Sequence, residues 1–183
     1  MKKINVVGTS ATGKSTFSKA LAEKLGLHYI ELDILFWLDD WQECPDEIFF
    51  ARIEAEMAKA KNGYVIDGNY TRAIPVKWAE IDTVIWLDLP FPINLYRSIK
   101  RTVSRSKSKQ DLWPNSNNQD SLWRMFGPNS MVWWMIKTHK KNRNKYLKMM
   151  SAPEYQYIQW IRLKTPKEVE QFLAQLDSYE YVV

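Results

Sequence analysis

The chain has 183 residues, 45% of them hydrophobic, and a formal net charge of +5, which fits one domain with a buried core. Its one cysteine, Cys44, excludes an internal disulfide and a thiolate-rich zinc site. No apolar stretch reaches the length of a membrane span, and the first residues lack the apolar region of a signal peptide, so we expect a cytoplasmic protein that does not associate with a membrane.

The first predicted element is a short apolar strand at residues 4–7. The next eight residues, 8–15, read GTSATGKS and match the phosphate-loop pattern GxxxxGK[ST]. Apolar residues then recur every four positions from Phe17 to Leu25, which predicts an amphipathic helix that ends at Gly26. This order of strand, loop and helix places backbone N–H groups and the positive helix end around a phosphate chain. We therefore predict that the chain binds a nucleoside triphosphate.

The motif also predicts residue roles. Lys14 should reach the β- and γ-phosphates, and the Ser15 hydroxyl should ligate Mg²⁺. The other predicted nucleotide-binding residues of this segment lie in the loop and the first helical turn: Gly8, Thr9, Ser10, Ala11, Thr12, Gly13 and Thr16.

Further strands and helices alternate along the chain. Residues 28–32 and 64–66 are predicted strands that end at Asp33 and Asp67, and 34–45 is an irregular aromatic segment. Asp46 is the predicted N-cap of a helix that runs to about residue 62.

The second half continues the alternation. A strand at 83–87, ending at Asp88, is followed by two basic helices at 93–107 and 131–149, with a predicted loop at 108–128 between them. The last predicted strand is 157–163. Thr165 as N-cap and Pro166 at the first position open the final helix.

Five short strands that alternate with helices predict a three-layer α/β fold, in which a five-stranded parallel sheet has helices on both faces. Ligands bind beyond the carboxyl ends of the strands in such sheets. This rule gathers the phosphate loop, Asp33, Asp67 and Asp88 at one edge. We predict one domain over residues 1–183, with a basic helical lid at about 100–130.

Asp67 follows three apolar residues and begins the sequence Asp67-Gly68-Asn69. A carboxylate at the end of a buried strand facing the phosphate loop holds Mg²⁺, directly or through water, together with Ser15. A structural Asp-Gly turn is the alternative. The metal role is our prediction.

Asp33 lies at the end of the preceding strand. A carboxylate at this place in a small P-loop kinase faces the phosphoryl acceptor, where it orients or deprotonates a hydroxyl group. We predict this catalytic role for Asp33. The alternative is a side chain that caps the following turn.

Positive charge is concentrated between Arg97 and Lys148, where thirteen Lys and Arg residues stand against two acids. Arg97, Arg101 and Arg105 are spaced by four, so one helix face carries three guanidinium groups that suit a phosphoryl group in transfer. We predict catalytic roles for Arg101 and Arg105 in the lid. A solvated helix face and a nucleic-acid surface are the alternatives.

Taken together, the motifs resemble those of the adenylate-kinase-like P-loop kinases, and more specifically of the DNA topology modulation protein group. The likeness covers nearly the whole chain. It is carried by the phosphate loop and by four stretches: ELD at 31–33, VIDGNY at 65–70, VIWLDLP at 84–90 and LKTP at 163–166.

The resemblance implies a nucleoside-kinase-like P-loop fold and several residue roles. It places Asp67 near Mg²⁺, Arg72 at a phosphate, Arg101 and Arg105 in the lid, and Thr165 and Pro166 beside the adenine ring. Arg143, on the second basic helix, is a further predicted nucleotide-binding residue.

One departure bears on the acceptor. Adenylate kinases hold AMP with an arginine after the second strand, whereas this chain has no arginine between that strand and Arg52. Asp33 at the strand end is closer to kinases whose acceptor is a hydroxyl group on a small polar metabolite.

The sequence therefore predicts an ATP- and Mg²⁺-dependent phosphotransferase that acts on a small-molecule hydroxyl or phosphate acceptor. The alternative function is an ATP-binding protein that acts on or associates with DNA and has weak or no kinase activity. The basic segment is compatible with either, although no recognisable nucleic-acid-binding module occurs.

Overall fold

The computed structural model describes residues 1–108, 113, 116–118 and 131–179. Most of the predicted lid at about 100–130, and of the predicted loop at 108–128, lies outside the described residues. Residues 100–108 belong to a helix. The prediction of a single domain with a lid stays a prediction.

A five-stranded sheet lies at the centre of the described part of the chain. Its strands are β1 Lys3–Gly8, β2 His28–Glu31, β3 Tyr64–Asp67, β4 Thr83–Leu87 and β5 Gln159–Leu163. They lie in the order β2-β3-β1-β4-β5, and every neighbouring pair is parallel. The predicted five-stranded parallel sheet is confirmed. Because β1 is central, the loop that follows it lies between the ends of β3 and β4.

Helices connect the strands. In the described part of the chain they are α1 Lys14–Leu25, α2 Leu32–Phe36, α3 Asp46–Lys59, α4 Ile74–Lys77, α5 Phe91–Ser108, α6 Met131–Ser151 and α7 Pro166–Tyr179. Gly26 ends α1 as predicted, with φ +61° and its N–H on the Ala22 and Glu23 carbonyls. Thr165 opens α7 as predicted, since its Oγ1 accepts the Glu168 N–H at 3.1 Å.

Helix α2 was not predicted, and it places Leu32 and Asp33 in a helical turn instead of at the end of β2. β2 ends at Glu31, whereas the sequence predicted a strand to residue 32 with Asp33 at its end. Leu32 and Phe36 are four residues apart and both are buried, so one helical turn packs them into the core. The segment was predicted to be irregular because of its aromatic composition, so a single helical turn was not expected there.

Helix α3 also differs at both ends. Its N-cap is Pro45 instead of Asp46, which lies in the first turn, where its charge favours the helix N-terminus. The helix ends at Lys59, before the predicted end near residue 62. The chain must leave the helix there because the Tyr64 N–H pairs with the Lys2 carbonyl at 2.8 Å to start β3.

Two apolar clusters cover the two faces of the sheet. On one face, Ile4, Val6 and Val65 pack against Phe17 and Leu21 of α1, with residues of α7 at the margin. The other face has the larger cluster, which includes six buried aromatic residues: Phe36, Phe49, Tyr64, Trp78, Trp86 and Tyr146. The predicted three layers are therefore present. Within the described part of the chain, no helix combines the length and the apolar character of a membrane span.

Candidate active site

The phosphate loop joins β1 to α1 at the carboxyl edge of the sheet. A Cβ atom at Gly8 would lie 2.8 Å from the Leu87 carbonyl oxygen, so only glycine lets the loop pass β4 this closely. Gly13 has φ +92°, which glycine adopts freely, and α1 begins at the next residue. Both glycines of the motif are thus required by backbone geometry, and the loop stands at the positive end of a 12-residue helix.

Lys14 already points into this loop. Its Nζ donates to the Thr9 carbonyl at 3.3 Å, and the Thr12 hydroxyl donates to the same oxygen at 2.9 Å. Burial lowers the pKa of Lys14, while the charges of Asp67 and Asp33 raise it. The ammonium group therefore lies within electrostatic reach of both predicted carboxylates.

Asp67 is the last residue of β3, next to β1, and is buried. Burial raises its pKa to about 6, and the Lys14 charge and the Ser15 hydroxyl act in the opposite direction. Among the residues that the structure describes, none donates a hydrogen bond to the buried Oδ1 of Asp67. A buried carboxylate oxygen with no partner beside a hydroxyl group fits a hard cation such as Mg²⁺, which prefers oxygen ligands.

Asp33 lies in the first turn of α2 and not at a strand end. Its Oδ1 accepts a hydrogen bond from the Tyr70 hydroxyl at 2.5 Å. Burial raises the pKa of Asp33, whereas the Tyr70 hydrogen bond and the Lys14 charge lower it. Although Asp33 lies on a helical turn, it is still close enough to the phosphate loop for its charge to interact with that of Lys14.

Two of the three predicted arginines on α5 reach the phosphate loop. Arg97 Nη1 donates to the Thr12 carbonyl at 3.1 Å, and Arg101 Nη2 donates to the Ser10 hydroxyl at 3.2 Å. The backbone of Arg105 belongs to α5, but its side chain lies outside the described residues. Arg97, Lys100, Arg101 and Ser104 line an open surface depression of about 360 Å³. The fourfold spacing thus places positive charge over the loop.

Arg143 and Arg162 share a carboxylate at the end of β4. Arg162 Nε donates to Asp88 Oδ2 at 2.9 Å, and Arg143 Nε lies 3.3 Å from the same oxygen. Asp88 is buried, and Arg143 is half exposed. Arg143 therefore lies at the carboxyl edge of the sheet, where it is paired with Asp88.

Arg72 is an exposed residue in the turn that follows β3. It pairs with Glu43 at 2.9 Å and Asp46 at 3.2 Å, and its guanidinium lies 4.6 Å from the centre of the Phe36 ring. Its implied phosphate contact stays a prediction. Thr165 and Pro166 lie where β5 passes into α7, and their predicted place beside the adenine ring also stays a prediction.

Sequence reasoning missed the role of Asn69. Its Oδ1 accepts the Gly8 N–H at 3.0 Å, and its Nδ2 donates to the Gly8 carbonyl at 2.8 Å. The Tyr146 hydroxyl of α6 donates to the same Oδ1 at 3.0 Å. One amide thus ties the first residue of the phosphate loop to β3 and to α6. The sequence Asp67-Gly68-Asn69 marked a turn but gave no sign of this contact.

Lys77 was missed as well. Its side chain is fully buried, and Nζ donates to the Gly68 carbonyl at 3.0 Å and to the Asn69 carbonyl at 2.7 Å. Burial lowers the pKa of Lys77 well below its ordinary value. This lysine fixes the backbone of the turn that carries Asn69. A single lysine in a short helix has no sequence signal that could have revealed its burial.

Replacing Asn69 by alanine should destabilise the loop, because the Gly8 N–H and carbonyl would lose their partners. Unpaired polar groups of this kind cost about 1–3 kcal/mol in the free energy of unfolding, which urea titration measures. Asn62→Ala, at an exposed turn position, is the control and should change stability by less than about 0.5 kcal/mol. Equal stability of the two variants would contradict the role of Asn69.

Tryptophans cluster near α2. The rings of Trp37 and Trp113 are stacked at 6.3 Å, and Trp41 meets both edge-on. Asn118 accepts the Trp41 N–H at 2.7 Å and donates to the Leu38 carbonyl at 2.8 Å. Residues 113 and 116–118, which lie within the predicted lid, therefore contact the chain just after α2.

Sequence comparison finds shikimate kinases. The protein of Persephonella marina is 34% identical over 103 residues, which cover 49% of this chain and 63% of that protein. The protein of Synechococcus elongatus is 29% identical over 127 residues, which cover 59% of this chain and 67% of that protein. The chain thus spans less than two thirds of the Persephonella protein. No family model matches the chain.

Solved structures align over nearly the whole chain. A gluconokinase from Sinorhizobium meliloti has a TM-score of 0.52 at 16% identity, covering 98% of this chain and 95% of its own. A sugar kinase from a Janibacter species has a TM-score of 0.50 at 17% identity, covering 97% and 95%. The fold is that of the P-loop NTPases. The predicted fold class is confirmed.

The comparisons also bear on the finer predictions. All four proteins named above are kinases by name, and none of them is named as a DNA-binding protein. None of the four is named as a DNA topology modulation protein, so that part of the resemblance stays a prediction.

Proposed function

We propose that the protein transfers the γ-phosphoryl group of ATP to a hydroxyl group of a small polar metabolite, with Mg²⁺ as cofactor. The observation that carries this proposal is the position of Asp33, whose charge interacts with Lys14 of the phosphate loop. Binding and hydrolysing ATP requires Lys14, Ser15 and Asp67. Transfer to an acceptor hydroxyl also needs a base, and Asp33 is a second carboxylate whose charge acts on Lys14.

The residues divide the work as follows. The backbone N–H groups of the loop hold the β- and γ-phosphates. Lys14 stabilises the negative charge that develops on the transferred phosphoryl group. Arg101 and Arg105 add positive charge from the lid side, and lid closure keeps out water. Ser15 and Asp67 hold Mg²⁺, which when bound neutralises phosphate charge. Asp33 receives the proton of the acceptor hydroxyl.

The names of the relatives support the acceptor class. Shikimate kinase, gluconokinase and sugar kinase are each named for a small metabolite that is not a nucleotide. The absence of an arginine between β2 and Arg52 is consistent with an acceptor other than AMP. We further propose that residues 1–183 act as one kinase domain whose lid includes residues 100–130, and that the protein belongs to the DNA topology modulation group and is cytoplasmic.

A screen of acceptors tests the proposal. Sugars, sugar acids, cyclic polyols and nucleosides are each incubated with the protein, ATP and Mg²⁺, and ADP formation is followed in a coupled assay. We expect at least one hydroxyl compound to raise ADP formation well above the rate with water, and the product to carry the phosphate. ATP consumption that is the same with every compound would contradict the proposal.

Asp67→Asn should weaken Mg²⁺ binding by about tenfold or more, since the cation loses a charged ligand in a buried site. The backbone cradle of the nucleotide is untouched by this change. ATP affinity, measured by calorimetry, should therefore fall in Mg²⁺ but not in EDTA. Equal losses under both conditions would make Asp67 a structural residue of the turn.

A further inference from the structure

The hydrogen bond between Tyr70 and Asp33 joins two neighbouring strand ends. Tyr70 follows β3 by three residues, and Asp33 follows β2 by two. The two strands are paired with Glu31 opposite Asp67, so the sheet holds the segments side by side. At 2.5 Å between oxygens, the contact has the length of a charge-assisted O–H···O⁻ bond. The hydrogen bond therefore forms because the sheet register brings the two segments together, although they lie 37 residues apart in the sequence.

The Tyr70 ring is held from two sides. Its centre lies 4.8 Å from the ring centre of Phe36 on α2 and 5.1 Å from that of Phe49 on α3. Both phenylalanines are buried. Burial and the charge of Asp33 raise the pKa of Tyr70, so the phenol stays protonated at all physiological pH values. Tyr70 is a fixed and permanent hydrogen-bond donor.

Asp33 is left with one oxygen for a ligand. Oδ1 accepts the Tyr70 hydroxyl, whereas Oδ2 accepts no hydrogen bond from the residues that the structure describes. Tyr70, Lys14 and Arg101 favour the ionised form of Asp33, whereas Glu31 opposes it. The charges of Asp33 and Asp67 also repel each other. Burial also opposes the ionised form and is the largest influence on the pKa. Of the three favourable groups, Tyr70 has the largest effect.

We propose that Tyr70 is a positioning residue, which holds Oδ1 of Asp33 so that Oδ2 is presented to the acceptor hydroxyl. This inference rests on the proposed kinase function. In the step concerned, the acceptor oxygen forms a bond to the γ-phosphorus of ATP, and the acceptor proton passes to Oδ2. The bond from the γ-phosphorus to the bridging oxygen breaks, and its electron pair leaves with ADP.

Tyr70→Phe removes the hydroxyl and keeps the ring between Phe36 and Phe49. The ionised form of Asp33 loses its hydrogen bond, so its pKa rises and the basic form requires a higher pH. A hydrogen bond to a charged group corresponds to about 10- to 100-fold in an equilibrium, or an upward shift of about one to two pH units. Transfer to an acceptor should fall by a similar factor at pH values below the Asp33 midpoint of the wild type, and by less above it.

Tyr64→Phe is the matched control. Tyr64 is a buried tyrosine of the same aromatic cluster, and its hydroxyl has no partner among the described residues. Tyr64→Phe likewise removes one buried hydroxyl group and keeps the ring. The Asp33 carboxyl should titrate in this variant as in the wild type.

The titration of Asp33 is measured by carbon-13 NMR on protein labelled at aspartate carboxyl groups, with Asp33→Asn identifying the signal. We expect a higher midpoint in Tyr70→Phe and an unchanged midpoint in Tyr64→Phe. An unchanged midpoint in Tyr70→Phe, or equal shifts in both variants, would overturn the proposal. This measurement needs no acceptor, so it is independent of the kinase assay.

A kinetic arm uses shikimate, D-gluconate and D-glucose as the acceptors, with ATP and Mg²⁺. With any acceptor that the wild type uses, the low-pH limb of kcat should move to higher pH in Tyr70→Phe, while KM for ATP stays the same. A shifted midpoint with unchanged turnover would overturn the positioning role. Absence of turnover by the wild type with all three acceptors would count against the proposed function and would leave the titration result standing.

Discussion

Replacement of Lys14 by alanine is expected to reduce phosphoryl transfer from ATP by about 10²–10³-fold, the effect of losing one preorganised electrostatic stabiliser. The fold should stay intact because the Lys14 ammonium donates to a loop carbonyl and is not needed for the apolar core. ADP formation measures the first effect and thermal unfolding the second.

Lys19→Ala is the matched control for this experiment. Lys19 lies on the same helix, is exposed, and pairs with Glu31 at 3.5 Å, so its loss removes the same charge away from the phosphates. Surface pairs of this kind contribute about 0–1 kcal/mol. Lys19→Ala should therefore turn over like the wild type. Equal turnover of Lys14→Ala and the wild type would rule out phosphoryl transfer at this loop.

Asp33→Asn is expected to lower transfer to the acceptor by about 10²–10⁴-fold, the usual contribution of a general base. Asparagine keeps the shape of the side chain and can still accept the Tyr70 hydrogen bond, but it cannot take up a proton. Lys14 and the arginines are unchanged, so slow hydrolysis of ATP by water should survive. The ratio of acceptor phosphorylation to phosphate release, measured in one reaction mixture, reports the difference.

Asp46→Asn provides the matched control, since Asp46 is an exposed carboxylate close to Arg72 in the first turn of α3. It should leave the ratio unchanged. If transfer and hydrolysis fall together in Asp33→Asn, the residue serves the metal or the fold. If neither changes, Asp33 caps the first turn of α2, and the acceptor site lies elsewhere.

Local sequence determined the nucleotide side of this protein. The pattern from Gly8 to Ser15 needs only backbone angles and a helix N-terminus, which a dozen consecutive residues specify. The strands and helices around the loop follow from periodicity that is equally local, and parallel order follows from their alternation. The fourfold spacing of Arg97 and Arg101 correctly predicted that both would share one helix face. These features could be predicted because they depend on residues that are close together in the sequence.

The tertiary structure decided the acceptor side. Asp33 lies on a helical turn because Leu32 and Phe36 are buried in the core. The sequence pattern did not indicate that these two residues would be buried on one helical face. Tyr70 meets Asp33 only because β2 and β3 are neighbours in the sheet, 37 residues apart in the chain. Asn69 and Gly8 meet through the pairing of β3 with β1. Such contacts depend on strand order and register, which periodicity does not encode, so the partners of the predicted carboxylates could be read only from the fold.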